Sequence, residues 1–361
     1  MAFPLAVFAQ QIVIKQNSLN FPATNELQAT AVDLTVYNLG SFPSVITDID
    51  LFEVYGDLPF TVSDSSFTIA PQDSFVITVQ FLPQHNIMHN LALVVKTKDG
   101  FGHDVVALNG QGTYSKSYYA ATENKSEQAL KNALNTRLAQ NFNSLSYSIA
   151  RDNMYATIDN NGGTVECVYT GRTANFTTRS GANSNSFNCE HTFPQGFFNK
   201  NQPMRADIHH LFPTDVSANS RRSNDPFGVV NNPSWNQGGS KSGGGKFEPR
   251  NAQKGPTARA MLYFVIRYQD YSNHFSGQEN ILRQWHNTYP PQAAEKTRND
   301  DIYALQNNRN PFVDYPQLEK RITNFVSNSV APGVNSLYRS DDTIKLAQGN
   351  GNYTFNYVLY N

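Results

Sequence analysis

Cysteine and tryptophan are scarce, with two of each in 361 residues. Two cysteines cannot build the disulfide framework that holds small secreted scaffolds together. Long apolar runs are also missing: no stretch reaches about 18 residues, which excludes a membrane-spanning helix. The chain has no overall basic excess either, and its formal net charge of −1 argues at first sight against a polyanionic partner. Core material is plentiful by contrast. Apolar residues make up 39%, with 24 phenylalanines and 18 tyrosines, in a chain about two domains long.

The average charge conceals two unlike halves. Residues 1–113 carry three basic residues (Lys15, Lys96, Lys98) against ten acidic ones, a net of −7, which leaves +6 for residues 114–361. Such asymmetry points to separate domains with separate partners. At the start of the chain, the apolar run Ala2–Ala9 resembles the end of a secretory signal, with small residues near a cleavage point after Ala9. It lacks a basic leading region, and a first strand is the alternative. Residues 1–9 are expected to be a signal remnant.

Residues 10–113 read as an all-β sandwich. Val32, Leu34 and Val36 alternate with polar neighbours, as do Phe75, Ile77, Val79 and Phe81, and Leu91, Leu93 and Val95. That period of two belongs to half-buried antiparallel strands. Turn-forming residues punctuate them at Asn38–Gly40, Ala70–Asp73, Lys98–Gly100 and Asn109–Gly112. His85, His89 and His103 have no nearby cysteine or helical pairing and are expected to face solvent. The pattern, with its closing Leu108–Thr113, resembles the immunoglobulin-like sandwiches appended to exported proteins, including the abnormal-spindle-like type. Such modules bind or space rather than catalyse.

Helical periodicity begins after Thr113. Ala129, Leu130, Ala133, Leu134 and Leu138 form one stripe. A second helix is expected to start at Pro256 and a third to surround Ile281–Trp285, with a strand over Thr164–Tyr169. The Gly/Ser-rich segment Gln237–Lys246 is not a phosphate-binding P-loop. Lys246 would need glycine at 240 and Ser or Thr at 247, where Ser240 and Phe247 stand.

The chemistry concentrates in Asn188-Cys-Glu-His-Thr-Phe-Pro194, Met204-Arg-Ala-Asp-Ile-His-His210 and Asn219-Ser-Arg-Arg-Ser-Asn224. Phosphodiester hydrolysis needs a group that takes a proton from water, which an imidazole does well. It also needs stabilisation of charge on the leaving oxygen, which a hard cation on oxygen ligands supplies. His191 beside Glu190 could serve both needs only where the strand ends or bends, since strand neighbours face opposite ways.

Taken jointly, these segments resemble the endonuclease I family. Cys167-Val-Tyr-Thr-Gly-Arg172, Lys246–Gly255, Ala258–Phe264 and Asn310–Val313 continue the match in order. The resemblance covers roughly residues 115–330 and implies an α+β nuclease domain over 114–330 with a ββα-metal (His-Me finger) site. It further implies a secreted or periplasmic Mg²⁺-dependent enzyme, with Ca²⁺ or Mn²⁺ as substitutes. Such an enzyme cuts DNA and often RNA without regard to sequence and leaves 5′-phosphates. Carried over by position, His191 is the general base, and Glu190 and Asn219 are metal ligands. The chain departs from the family at Arg205, where members carry a carboxylate, and in its short 199–203 insertion, which lacks the phosphate-contacting arginine. Arg205 is the candidate to replace that contact.

Arg222, Arg250 and Lys254, with Arg221 and Arg259, are candidates for backbone contacts. His209 and His210 are expected to pack beneath the ligands, with Asp207 as partner to one of them, and Trp235 and Trp285 to pack rather than stack bases. In an exported protein Cys167 and Cys189 would pair, contributing roughly 3 kcal/mol; two reduced, buried thiols are the alternative. A monomer is expected, and residues 331–361 are read as a tail or closing strand. The rival function is an inactive nuclease-like binding or adhesion protein.

Overall fold

A computed structural model describes residues 12–98, 104–269 and 272–326. The expectations for residues 1–9, His103 and residues 331–361 lie outside these. The chain divides into two compact units, with the boundary between Lys125 and Ser126.

The first unit is the expected sandwich. One sheet orders its strands Ile12–Ile14, Thr30–Asn38, Ser74–Phe81 and Phe60–Val62; the other orders Ser18–Asn25, Asp104–Thr113, Met88–Thr97, Ser44–Asp50 and Phe67–Ile69. The alternating residues do what the period of two requires. Leu34 pairs with Ile77, and both are fully buried with Val36, Val79 and Phe81. Asn38 secures the turn after its strand: its Oδ1 accepts from the Gly40 N–H at 2.9 Å, and its Nδ2 donates to the carbonyls of Phe42 and Ile69.

Two expectations fail here. Asn109–Gly112 belongs to a strand, not a turn. A Cβ at Gly110 would lie 2.7 Å from the Phe81 ring, and one at Gly112 would lie 2.1 Å from the His85 carbonyl. These glycines serve close approach rather than chain reversal. His85 and His89 are buried rather than solvent-facing, and the His89 ring lies edge-on to Phe81 at 5.5 Å.

In the second unit, the stripe seen in the sequence becomes the helix Glu127–Ala139, burying Leu130, Leu134 and Leu138. The central helix runs Asn251–Tyr268, five residues earlier than Pro256 suggests, and buries almost its whole length from Thr257 to Ile266. Pro256 falls in its second turn rather than opening it: the preceding strand ends at Glu248, and Arg250 already holds the N-cap position. The third helix runs Glu279–Thr288. The expected strand at Thr164–Tyr169 stops at Glu166.

Strands Phe187–His191 and Leu211–Asp215 pair antiparallel, with Glu190 opposite Phe212 and His191 opposite Leu211. The short helix Val216–Arg222 follows the second strand without a break. This strand pair and helix carry Glu190, His191, Asn219 and Arg222.

Candidate active site

Alternation along Phe187–His191 sends Asn188 and Glu190 to one face and Cys189 and His191 to the other. The first face meets the short helix. Asn219 Nδ2 donates to Asn188 Oδ1 at 3.0 Å and approaches the Cys189 carbonyl at 3.4 Å. One turn on, Arg222 Nε lies 2.9 Å from Glu190 Oε1, a charge pair too misaligned for a hydrogen bond. The Tyr169 hydroxyl donates to the same oxygen at 2.8 Å. Glu190 is only 2% exposed. Burial pushes its carboxyl up to about 7, against the opposing pull of Arg222 and Tyr169.

Two oxygens on this face are left open. Among the described residues no hydrogen bond reaches Glu190 Oε2 or Asn219 Oδ1. A carboxylate oxygen and an amide oxygen are hard donors of the kind a divalent cation such as Mg²⁺ takes. The residues fit that ion.

His191 is the last residue of its strand. Its Nε2–H donates to the Arg205 carbonyl at 3.1 Å, which leaves Nδ1 with the lone pair. Burial, with the charges of His210 and Arg205 nearby, pushes the imidazole down to about 3 and keeps it neutral. Its ring lies 5.4 Å from that of Tyr147 and 5.6 Å from that of His210. Tyr147 in turn carries the guanidinium groups of Arg151 and Arg205 at 4.2 and 4.5 Å from its ring centroid.

The endonuclease I family matches residues 126–317, more than half of the chain. The chain belongs to the endonuclease I family. Its relatives include an extracellular ribonuclease of Bacillus amyloliquefaciens, 30% identical over 56% of this chain and 76% of that protein. An extracellular deoxyribonuclease of Aeromonas hydrophila is 36% identical over 31% of this chain and 50% of its own length. A periplasmic deoxyribonuclease of the same organism is 31% identical over 32% and 49%.

Within this endonuclease I unit, most of the cations expected to touch a nucleic-acid backbone also have internal partners. Arg222 is wholly buried and donates to the carbonyls of Thr192, Ser223 and Asp225. Arg250 pairs with Glu166 and donates to the Val168 carbonyl. Lys254 sits 2.8 Å from Glu248, and Arg259 grips Glu295 through two nitrogens at 2.6 Å. A buried cation requires such a counter-charge, and the sequence does not reveal which cations are buried. Arg221 stays exposed on the site helix with no side-chain partner among the described residues.

His209 and His210 donate their Nε2–H to the carbonyls of Asn308 and Met204 and pack against Tyr263 and Phe264. Asp207 holds the turn beneath them, accepting from the His209 N–H, Tyr263, Tyr268 and Gln306. Trp285 is buried, whereas Trp235 is half-buried and stacks over Phe247.

The Cys167–Cys189 disulfide is not formed; both are free and buried. The geometry explains why. Cys189 lies opposite Pro213, while the Cys167 sulfur meets Thr214 Oγ1, on the other face of the same strand. The residues that sequence reasoning missed are Asn188, Tyr147, Tyr169 and Arg151. The last-but-one lies in the quoted Cys167–Arg172 segment. Tyr147 and Arg151 stand four apart after Ser146, whose hydroxyl caps their helix by accepting from the Ile149 N–H. That i, i+4 spacing was the available signal.

Proposed function

We propose that this protein is an exported, monomeric, metal-dependent endonuclease that hydrolyses DNA and RNA phosphodiester bonds without sequence preference, through a ββα-metal site. The observation that carries the reading is the pair of open oxygens on Glu190 and Asn219 beside a histidine whose tautomer is fixed. Glu190 and Asn219 would hold Mg²⁺, with Ca²⁺ or Mn²⁺ as substitutes. When bound, the cation would stabilise charge on the phosphate and on the departing 3′-oxygen.

The chain's own residues supply the proton chemistry and the positioning. His191 Nδ1 accepts a proton from water as that oxygen bonds to phosphorus and the bond to the 3′-oxygen breaks, leaving a 5′-phosphate. The Arg205 carbonyl keeps the imidazole turned so that Nδ1 faces the reaction. Because Glu190 and His191 face opposite ways, the phosphate must straddle the end of their strand, where His191 is the last residue. Relatives named for RNA and for DNA support recognition of the shared backbone rather than of bases. Relatives named extracellular and periplasmic support export.

Plasmid digestion with Mg²⁺, blocked by a chelator, tests the reading. His191→Ala should lose about 10²–10⁴ in rate with no rescue by added Mg²⁺. Glu190→Gln should recover part of its activity as Mg²⁺ is raised. Rescue of His191→Ala by metal would make His191 a ligand and reverse the assignment.

A further inference from the structure

We infer that Arg151 and Arg205, both lying over the ring of Tyr147, form a seat for the phosphate backbone of the nucleic-acid strand. This rests on the nuclease reading and adds to it a substrate-binding residue, Arg151, and a second contact at the site.

Arginines elsewhere in the second unit show how this chain usually treats a guanidinium. Arg172, Arg179, Arg222, Arg250, Arg259, Arg283, Arg298 and Arg309 each lie against an Asp or Glu. Arg151 and Arg205 have no carboxylate partner among the described residues, and the nearest candidate in sequence, Asp152, is taken by Arg179 at 2.6 Å. Both nevertheless lie over one aromatic ring, at 4.2 and 4.5 Å from its centroid. Each has its Nε buried with no hydrogen-bond partner among the described residues. Arg267, over Phe142 and Tyr268, shares that state, but of the three only Arg151 and Arg205 lie over a ring that neighbours His191.

Two like charges on one ring repel each other. Cation–π contact is weak at a partly exposed site and satisfies no N–H donor. A buried donor left unpaired keeps its full desolvation penalty. What would satisfy these donors is an anion with several acceptor oxygens, and a phosphodiester suits a guanidinium fork. The place is apt, because the backbone carbonyl of Arg205 holds His191 and the Tyr147 ring lies 5.4 Å from its imidazole. A phosphate seated here would set the strand against the proposed base. It would do so without reading sequence.

The test is binding of a short labelled DNA duplex in chelator over a salt series, beside plasmid digestion with Mg²⁺. Arg151→Gln and Arg205→Gln should each weaken binding about tenfold and lower the slope of log K against log salt by about 0.9, the value for one lost phosphate contact on duplex DNA. Lys296→Gln, which removes an exposed cation from the helix Ala293–Gln306, should change neither. Gln variants that melt like the wild type and keep its slope would overturn the seat. If the Gln variants do not fold, Arg151→Lys and Arg205→Lys decide: a kept slope with several-fold weaker binding supports the seat, and unchanged affinity overturns it. A wild type that neither binds nor cuts DNA or RNA would instead overturn the nuclease reading.

Discussion

At the residue scale, Glu190 and Arg222 are the pair on which the site turns. Two opposite charges sit almost wholly out of water, and Arg222 spends its remaining donors on three backbone carbonyls around the site helix. A buried pair of this kind adds little net stability over an apolar one, but removing one partner strands the other. Arg222→Ala should therefore lose about 3–5 kcal/mol in urea denaturation. A variant as stable as wild type, with weakened DNA binding, would return Arg222 to the phosphate-contacting set. Glu190, His191 and Asn219 were singled out through the resemblance to the endonuclease I family, because Glu-His by itself is a common dipeptide. The burial of Arg222 was not legible, since an arginine reads the same whether it faces phosphate or a buried carboxylate.

At the scale of elements, the central helix Asn251–Tyr268 is held by close contact at Gly255. A Cβ there would lie 2.3 Å from the Tyr289 carbonyl and 2.6 Å from Arg259 Nη2. Gly255→Ala should cost about 1–3 kcal/mol through overpacking, despite alanine's better helix propensity. A melting temperature equal to or above that of wild type would show that the neighbouring chain yields.

The adjoining helix Glu279–Thr288 carries His286, whose Nε2–H donates to the Pro316 carbonyl at 2.9 Å. Burial pushes its imidazole down to about 4. The unfolded imidazole, near ~6.5, takes up a proton first as pH falls. The stability tied to His286 is thus complete above about 6.5 and is lost as pH drops toward 4. The fall in urea midpoint between pH 7.5 and pH 5 should be smaller in His286→Gln than in the wild type. An identical fall in both would remove His286 from the account.

At the scale of the whole molecule, the family match begins where the second compact unit begins, at residue 126. The sandwich before it is acidic and repels a polyanion. A fragment starting at Ser126 should fold and cut plasmid within a few-fold of the full chain's rate. A folded but inactive fragment would show that the sandwich contributes to the chemistry.

The sequence by itself determined the periodic parts. Phe75, Ile77, Val79 and Phe81 alternate because a strand exposes one face, and Leu130, Leu134 and Leu138 recur because a helix does. It also carried, in several segments taken jointly, the family resemblance that singles out Glu190, His191 and Asn219. Tertiary structure alone decided which polar groups were withdrawn from solvent. His85, His89 and Arg222 are buried, Gly110 and Gly112 lie in a strand against Phe81 and His85, and the two cysteines end on opposite faces. The physical reason is the same in each case. A charge, an imidazole, a thiol or a glycine takes its role from the atoms packed against it, and those come from segments tens of residues away.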